Sequence, residues 1–207
     1  LVKEREMNKW IGALAVGALA VAANSQVVPI GPFVGAASEG YETQTRFQFL
    51  PQYVVFGGAG TVDQVGSGQG LHITTGWTFF SSVFPHSGDA FMGGAGVNYE
   101  YNFAVPAFRF GGYFATNADA PGATVVFYDA NNNQIGSALA ASAPQGQWAW
   151  NGWEYAGGMS RIVIRANNQF NGFIMNDDMQ YTPVPEPATM AIVGLGLAAL
   201  AARRRRK

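Results

Sequence analysis

Val97-Asn98-Tyr99-Glu100-Tyr101-Asn102-Phe103 alternates large apolar and polar side chains without a break. Successive side chains of an extended chain point to opposite faces, so this stretch predicts a strand with one buried face and one wet face. A few residues on, Phe108, Phe110 and Phe114 share a face with Gly112 while Arg109 points the other way, which predicts a second strand. Working outward, further strands are expected at 45–49, 53–56, 71–74, 78–84, 123–128, 134–139, 147–153, 161–166 and 173–181, most of them bounded by Gly, Pro or Asn clusters. No window between the chain ends places apolar residues at a sustained helical period, so helix content should be low. Many short strands with turn signals between them predict an all-β domain over residues 24–183, a jelly-roll-like β-sandwich.

The composition agrees. Of 207 residues, 27 are glycine, 12% are charged and none is cysteine. The chain is too apolar for disorder, too rich in turn residues for a helical bundle, and has neither disulfides nor a thiolate metal site. The net charge of −1 conceals an uneven distribution, because eight of the twelve basic residues lie in the first nine and last five positions. Between them, residues 24–183 hold four arginines against ten carboxylates, a net of −6 with no lysine. An acidic domain of this kind excludes nucleic acid as a partner.

Both ends read as addresses. Lys3, Arg5 and Lys9 precede an apolar stretch from Ile11 to Ala23 that closes on small residues, the pattern of a signal peptide over residues 1–23 with Met7 as its start. Signal peptidase is expected to cut after Ala22 or Ala23. At the other end, Val184-Pro185-Glu186-Pro187 precedes an apolar segment, 188–202, and the basic run Arg203, Arg204, Arg205, Arg206 and Lys207. As a helix the apolar segment spans about 22 Å against a bilayer core of about 30 Å, which suits a transient transmembrane anchor better than a permanent one. The positive-inside rule keeps the basic end cytoplasmic and leaves the domain on the far side, where the signal peptide also sends it.

This three-part tail resembles the PEP-CTERM sorting signal of exported bacterial proteins, with Val184, Pro185, Glu186 and Pro187 as the motif and Arg203 to Lys207 as the basic stop. The resemblance implies recognition by an exosortase, a membrane cysteine transpeptidase or protease, in Gram-negative bacteria that make exopolysaccharide. It places the protein across the inner membrane, in the envelope, at the surface or in the extracellular matrix. The two prolines bar helix continuation and hold the segment extended, the form a protease cleft accepts.

For the domain itself, two groups of residues suggest ligands. Trp148, Trp150, Trp153 and Tyr155 form the densest aromatic patch, either core or a platform on which sugar rings of an exopolysaccharide stack; Trp77 carries the same two readings. Glu39 and Glu42 near the start of the domain and Asp177 and Asp178 near its end would meet if first and last strands are neighbours. Such an oxygen-rich group suits Ca²⁺, with solvated surface acids as the plain alternative and Asp177 and Asp178 expected on opposite strand faces. Asp129-Ala130-Asn131-Asn132-Asn133 reads as a hairpin turn. No catalytic residue is assigned: Pro85-His86-Ser87-Gly88-Asp89 reads as a turn and His72 as a surface or satisfied strand residue. Glu100 with Glu154 is the sole carboxylate pair weighed for a polysaccharide hydrolase. The sequence therefore predicts a non-enzymatic, exported structural or carbohydrate-binding protein, with a hydrolase or a self-associating matrix protein as alternatives.

Overall fold

A computed structural model describes residues 26–78, 82–117, 122–140, 146–167 and 173–185. The expected signal helix, Glu186 and Pro187, the 188–202 segment and the basic end lie outside the described residues. Within them the chain is nearly all β. Twelve strands run in the order β1 (Val28–Pro29), β2 (Ala37–Glu39), β3 (Phe49–Leu50), β4 (Gln52–Val55), β5 (Gly60–Val65), β6 (Gly70–Thr74), β7 (Phe91–Ala95), β8 (Asn98–Thr116), β9 (Ala123–Tyr128), β10 (Gln134–Ala140), β11 (Ala149–Ala166) and β12 (Ile174–Pro183). The one helical piece described is a 3-10 turn, Phe56–Gly58. Among the described residues no helix is long and apolar enough to cross a membrane.

All pairings are antiparallel and belong to one continuous sheet held together by two long strands. The first half of β8 pairs with β5, and the second half of β11 with β9, so one wing reads β4-β5-β8-β11-β9-β10. The second half of β8 pairs with β12 and the first half of β11 with β1, so the other wing reads β3-β6-β7-β12-β8-β11-β1, with β2 along the end of β12. The β8–β11 ladder shifts register between Glu154 and Arg161, and there both strands pass from one wing to the other.

The alternation read at 97–103 is realised: Tyr99, Tyr101 and Phe103 are buried while Asn98, Glu100 and Asn102 are part-exposed. The inner faces of the two wings meet through aromatic contacts. Tyr101 lies 4.9 Å from Phe110, Phe103 stacks on Tyr181 at 4.9 Å, and Phe127 meets Trp153 at 5.3 Å. At the centre of this core sits a polar knot. The Tyr41 hydroxyl donates to Asn176 Oδ1 at 2.8 Å and lies 2.7 Å from the Tyr101 hydroxyl, and Asn176 Nδ2 donates to the hydroxyls of Tyr101 and Tyr99. Every member is buried, and burial drives all three phenols well above their usual pKa, so the knot holds neutral hydroxyls.

Three expectations change. The separate strands at 97–103 and 108–114 are one strand, as are those at 147–153 and 161–166. Pro106 can sit inside β8 because the ladder to β11 is interrupted there and its missing N–H leaves no bond unmade. The stretch 78–84 contributes only a bridge between Trp77 and Val83, with 79–81 outside the described residues. Residues 45–48 are not strand, and only Phe49 joins a ladder.

Candidate functional site

A group of rings, Phe49 exposed and His72, Trp77 and Phe173 part-exposed, lies at the end of the second wing where β6, β7 and β12 begin or end. Here a cleft of about 560 Å³ is lined by Phe49, Gly68, Gln69, Trp77, Ala95, Gly96 and Phe173. Each ring has a structural reason to be there. Phe49 opens β3 and is 47% exposed at the sheet edge. Phe173 enters β12 with its N–H bonded to Gly94 O and a left-handed φ of 67° that turns the chain into the strand. Trp77 follows β6 and folds back over the outer face of β7. That position requires a glycine beneath it, since a Cβ on Gly93 would stand 3.0 Å from the indole.

The rings form a chain of edge contacts: Phe49 to His72 at 4.5 Å, His72 to Trp77 at 5.8 Å, and Trp77 to Phe173 at 5.9 Å. Among the described residues, Trp77 Nε1 and both ring nitrogens of His72 are shielded from solvent without a hydrogen-bond partner. Burial lowers the His72 pKa, keeping the ring neutral with one donor and one acceptor nitrogen. The cleft thus combines the aromatic side chains of Phe49, Trp77 and Phe173 with the amide of Gln69, and Gly96, with open space where a Cβ would stand, leaves room for close approach. Its size falls inside the range of about 300–1,000 Å³ usual for small-molecule sites.

The residues singled out in the sequence are distributed differently. Trp153 is 2% exposed and packs between Phe114 and Phe127, so it belongs to the core and offers no face to a ligand. Tyr155 is half-buried against the same core. Trp148 and Trp150 share the opposite strand face and are part-buried. Their indole N–H groups are already spent on Phe84 O at 2.8 Å and Ile30 O at 3.1 Å. Beside them His86 stacks on Tyr113 at 3.5 Å. The four-residue aromatic patch is therefore not assembled as one platform, whereas Trp77 does line a cleft.

The four acids do not gather into one ligand set. β2 pairs with β12, Glu39 opposite Met179, which brings the start of the domain beside its end. Glu39 accepts from the N–H groups of Tyr41 and Phe56, and Glu42 accepts from those of Asp89 and Ala90. Arg46 bridges Glu42 at 3.0 Å and Asp89 at 2.8 Å. Asp177, wholly buried, takes the His86 N–H at 2.8 Å, and Asp178 takes the Ser87 hydroxyl at 2.7 Å and faces His86 Nδ1 at 2.6 Å. Asp177 and Asp178 thus engage the same turn instead of opposite faces. Strict alternation fails because Asp178 has φ of 49° at a bulge in β12. Burial, and next the Asp178 charge, push the Asp177 carboxyl up to about 7. Among the described residues no three His, Asp or Glu side chains are arranged to hold a metal, and protein donors occupy the oxygens that Ca²⁺ would need.

The remaining candidates resolve individually. Asp129 caps its own hairpin turn through the N–H groups of Asn131 and Asn133, and Asn133 holds its carboxyl below the usual range. Glu100 is paired with Arg161 at 3.0 Å on one wing and Glu154 with Arg109 at 2.6 Å on the other. They do not face each other across a groove.

At the chain's end, Val184 N–H donates to Pro106 O at 2.8 Å, so the motif begins directly on the sheet with no linker. Residues 183–206 match the model of the PEP-CTERM protein-sorting motif. The chain carries a PEP-CTERM sorting signal. That signal implies an exported protein processed by an exosortase and delivered across the inner membrane to the cell envelope or surface. No curated protein matches the chain. Among solved structures it is similar to the K2 cleaved adhesin domain of Lys-gingipain (Kgp), at 17% identity and a TM-score of 0.49 over 70% of this chain and 98% of that one. It is also similar to TmCBM61 in complex with beta-1,4-galactotriose, at 13% identity and a TM-score of 0.43 over 70% of this chain and 94% of that one. Likenesses this distant say nothing about what the PEP-CTERM chain itself binds.

Proposed function

We propose that the protein is a carbohydrate-binding component of the exopolysaccharide layer, a jelly-roll-like sandwich freed from its signal peptide and held by a short transmembrane helix until an exosortase acts. The observation that carries the binding reading is the Trp77 cleft. Sugar rings present C–H faces that pack on aromatic rings and hydroxyls that both donate and accept. The cleft supplies Phe49, Trp77 and Phe173 for the first need and the exposed amide of Gln69 for the second. Binding rather than hydrolysis fits the site, because no acid is among the residues that line the cleft and Glu100 and Glu154 are each held by an arginine.

The test is affinity electrophoresis through gels containing the exopolysaccharide of the producing cells. Wild-type protein should be retarded. Trp77→Ala should lose at least about tenfold in affinity, the loss of about 1.4 kcal/mol of stacking, with an unchanged circular dichroism spectrum. Equal retardation of the two proteins would remove the cleft from the function. Retardation of neither would favour a self-associating matrix protein.

A further inference from the structure

The last strand connects the cleft to the sorting signal. Phe173, in the cleft wall, immediately precedes β12, and Val184 immediately follows it. The ten residues of β12 extend about 33 Å, so cleft and signal emerge at opposite ends of one strand. The signal end is built from the crossing segments of β8 and β11. Val184 bonds to Pro106 O, Tyr181 donates to Val105 O at 2.6 Å, and a Cβ on Gly158 would stand 2.7 Å from Val184 Cγ2.

The surface at this pole is unusual for an acidic domain. Ala104, Val105, Ala156, Gly157 and Pro185 are exposed there, Val105 to 48%, and none carries a charge or a polar side chain. The flanking charges are paired with each other, Arg109 with Glu154. The acids at Asp177 and Asp178 lie about 20 Å back along β12. Only Glu186 and Pro187 separate Pro185 from the apolar segment that starts at Ala188. Three extended steps reach at most about 11 Å, and a bilayer's headgroup layer is itself about 5–7 Å deep on each side.

We propose that, before processing, this uncharged pole rests on the outer face of the lipid bilayer and the domain stands upright on it, with the Trp77 cleft turned away from the membrane. The inference relies on the 188–202 segment being membrane-inserted. The three-step tether holds the pole within about 6 Å of the headgroup layer, and none of Ala104, Val105, Ala156, Gly157 and Pro185 carries a charge that an anionic lipid surface repels. The domain is thereby oriented by its own last strand, with its binding site toward the polymer and its sorting motif at the membrane surface.

The chain has no cysteine, so single labels are unambiguous. Full-length Val105→Cys and Ala156→Cys at the pole, and Ser67→Cys beside the cleft, are coupled to an environment-sensitive fluorophore. They are reconstituted in phosphatidylethanolamine–phosphatidylglycerol vesicles that carry a nitroxide on the headgroup. Fluorescence should be lost at 105 and 156 and kept at 67. Equal emission at all three sites in vesicle-bound protein would overturn the orientation. Loss at 105 and 156 only after an exosortase is added would overturn it in favour of an enzyme-docking surface. Failure of the full chain to float with the vesicles would instead defeat the membrane reading of the tail, a result that flotation registers separately from quenching.

Discussion

Asp177 is the residue whose environment has the clearest thermodynamic consequence. Its carboxyl is buried beside Asp178, with a pKa of about 7, whereas the unfolded chain ionises an aspartate near about 3.9. Between those values the folded state binds the proton that the unfolded state has released, so stability should fall as pH rises from about 4 to about 7 and level off above that. Asp177→Asn keeps an oxygen for the His86 and Ser87 N–H groups and removes the titration. Its melting temperature, followed by circular dichroism, should exceed that of wild type at pH 8 and lose the wild-type decline across this range. An unchanged decline would show that another group is responsible. At this scale the sequence was partly legible. That β2, which ends at Glu39, lies beside β12, which carries Asp177 and Asp178, followed from pairing first and last strands. That His86 and Ser87 would occupy the Asp177–Asp178 oxygens did not, because it depends on a bulge at Asp178 that has no glycine to mark it. The Tyr41, Tyr99, Tyr101 and Asn176 knot was likewise hidden, since its members are spread over 136 positions and two of them look like ordinary apolar-face residues of a strand.

Among the elements, the crossings of β8 and β11 control the architecture. Gly158 has φ of 83° and sits where a side chain would meet Pro106 and Val184. Gly158→Ala should therefore cost about 1–3 kcal/mol of stability, the range for a strained backbone position, and speed hydrogen exchange at the Val184 amide. Gly57 is a useful contrast. It has φ of 65° with open space around it, and Gly57→Asn should be close to neutral because asparagine tolerates this backbone region. Urea titration of both variants checks the pair. The alternation at 97–103 and 108–114 predicted the two halves of β8 and which face each buries. Their fusion was not visible, because a proline ordinarily ends a strand and only the interrupted ladder beside Pro106 makes it harmless. β7 escaped for the opposite reason: Phe91-Met92-Gly93-Gly94-Ala95 is buried on both faces and so shows no alternation. In β5, Val62 and Val65 fall on opposite faces and cancel the signal.

For the whole molecule, one acidic β domain carries an aromatic cleft at one end of its last strand and the sorting signal at the other. The address at 183–206 was legible from order and composition alone, because a motif, an apolar run and a basic stop are properties of the sequence. The cleft was not, since Phe49, Trp77 and Phe173 are brought together by three separate ladders and the tryptophan-rich stretch at 148–153 drew attention elsewhere. The exported, exosortase-processed state is the central claim, and the intact mass of the mature protein, taken from membrane, envelope and medium fractions of the producing cells, tests it most directly. The account predicts a polypeptide that lacks residues 1–23, ends near Pro185 to Pro187 and is found outside the inner membrane. A mass that retains Arg203 to Lys207, in the membrane fraction alone, would contradict it.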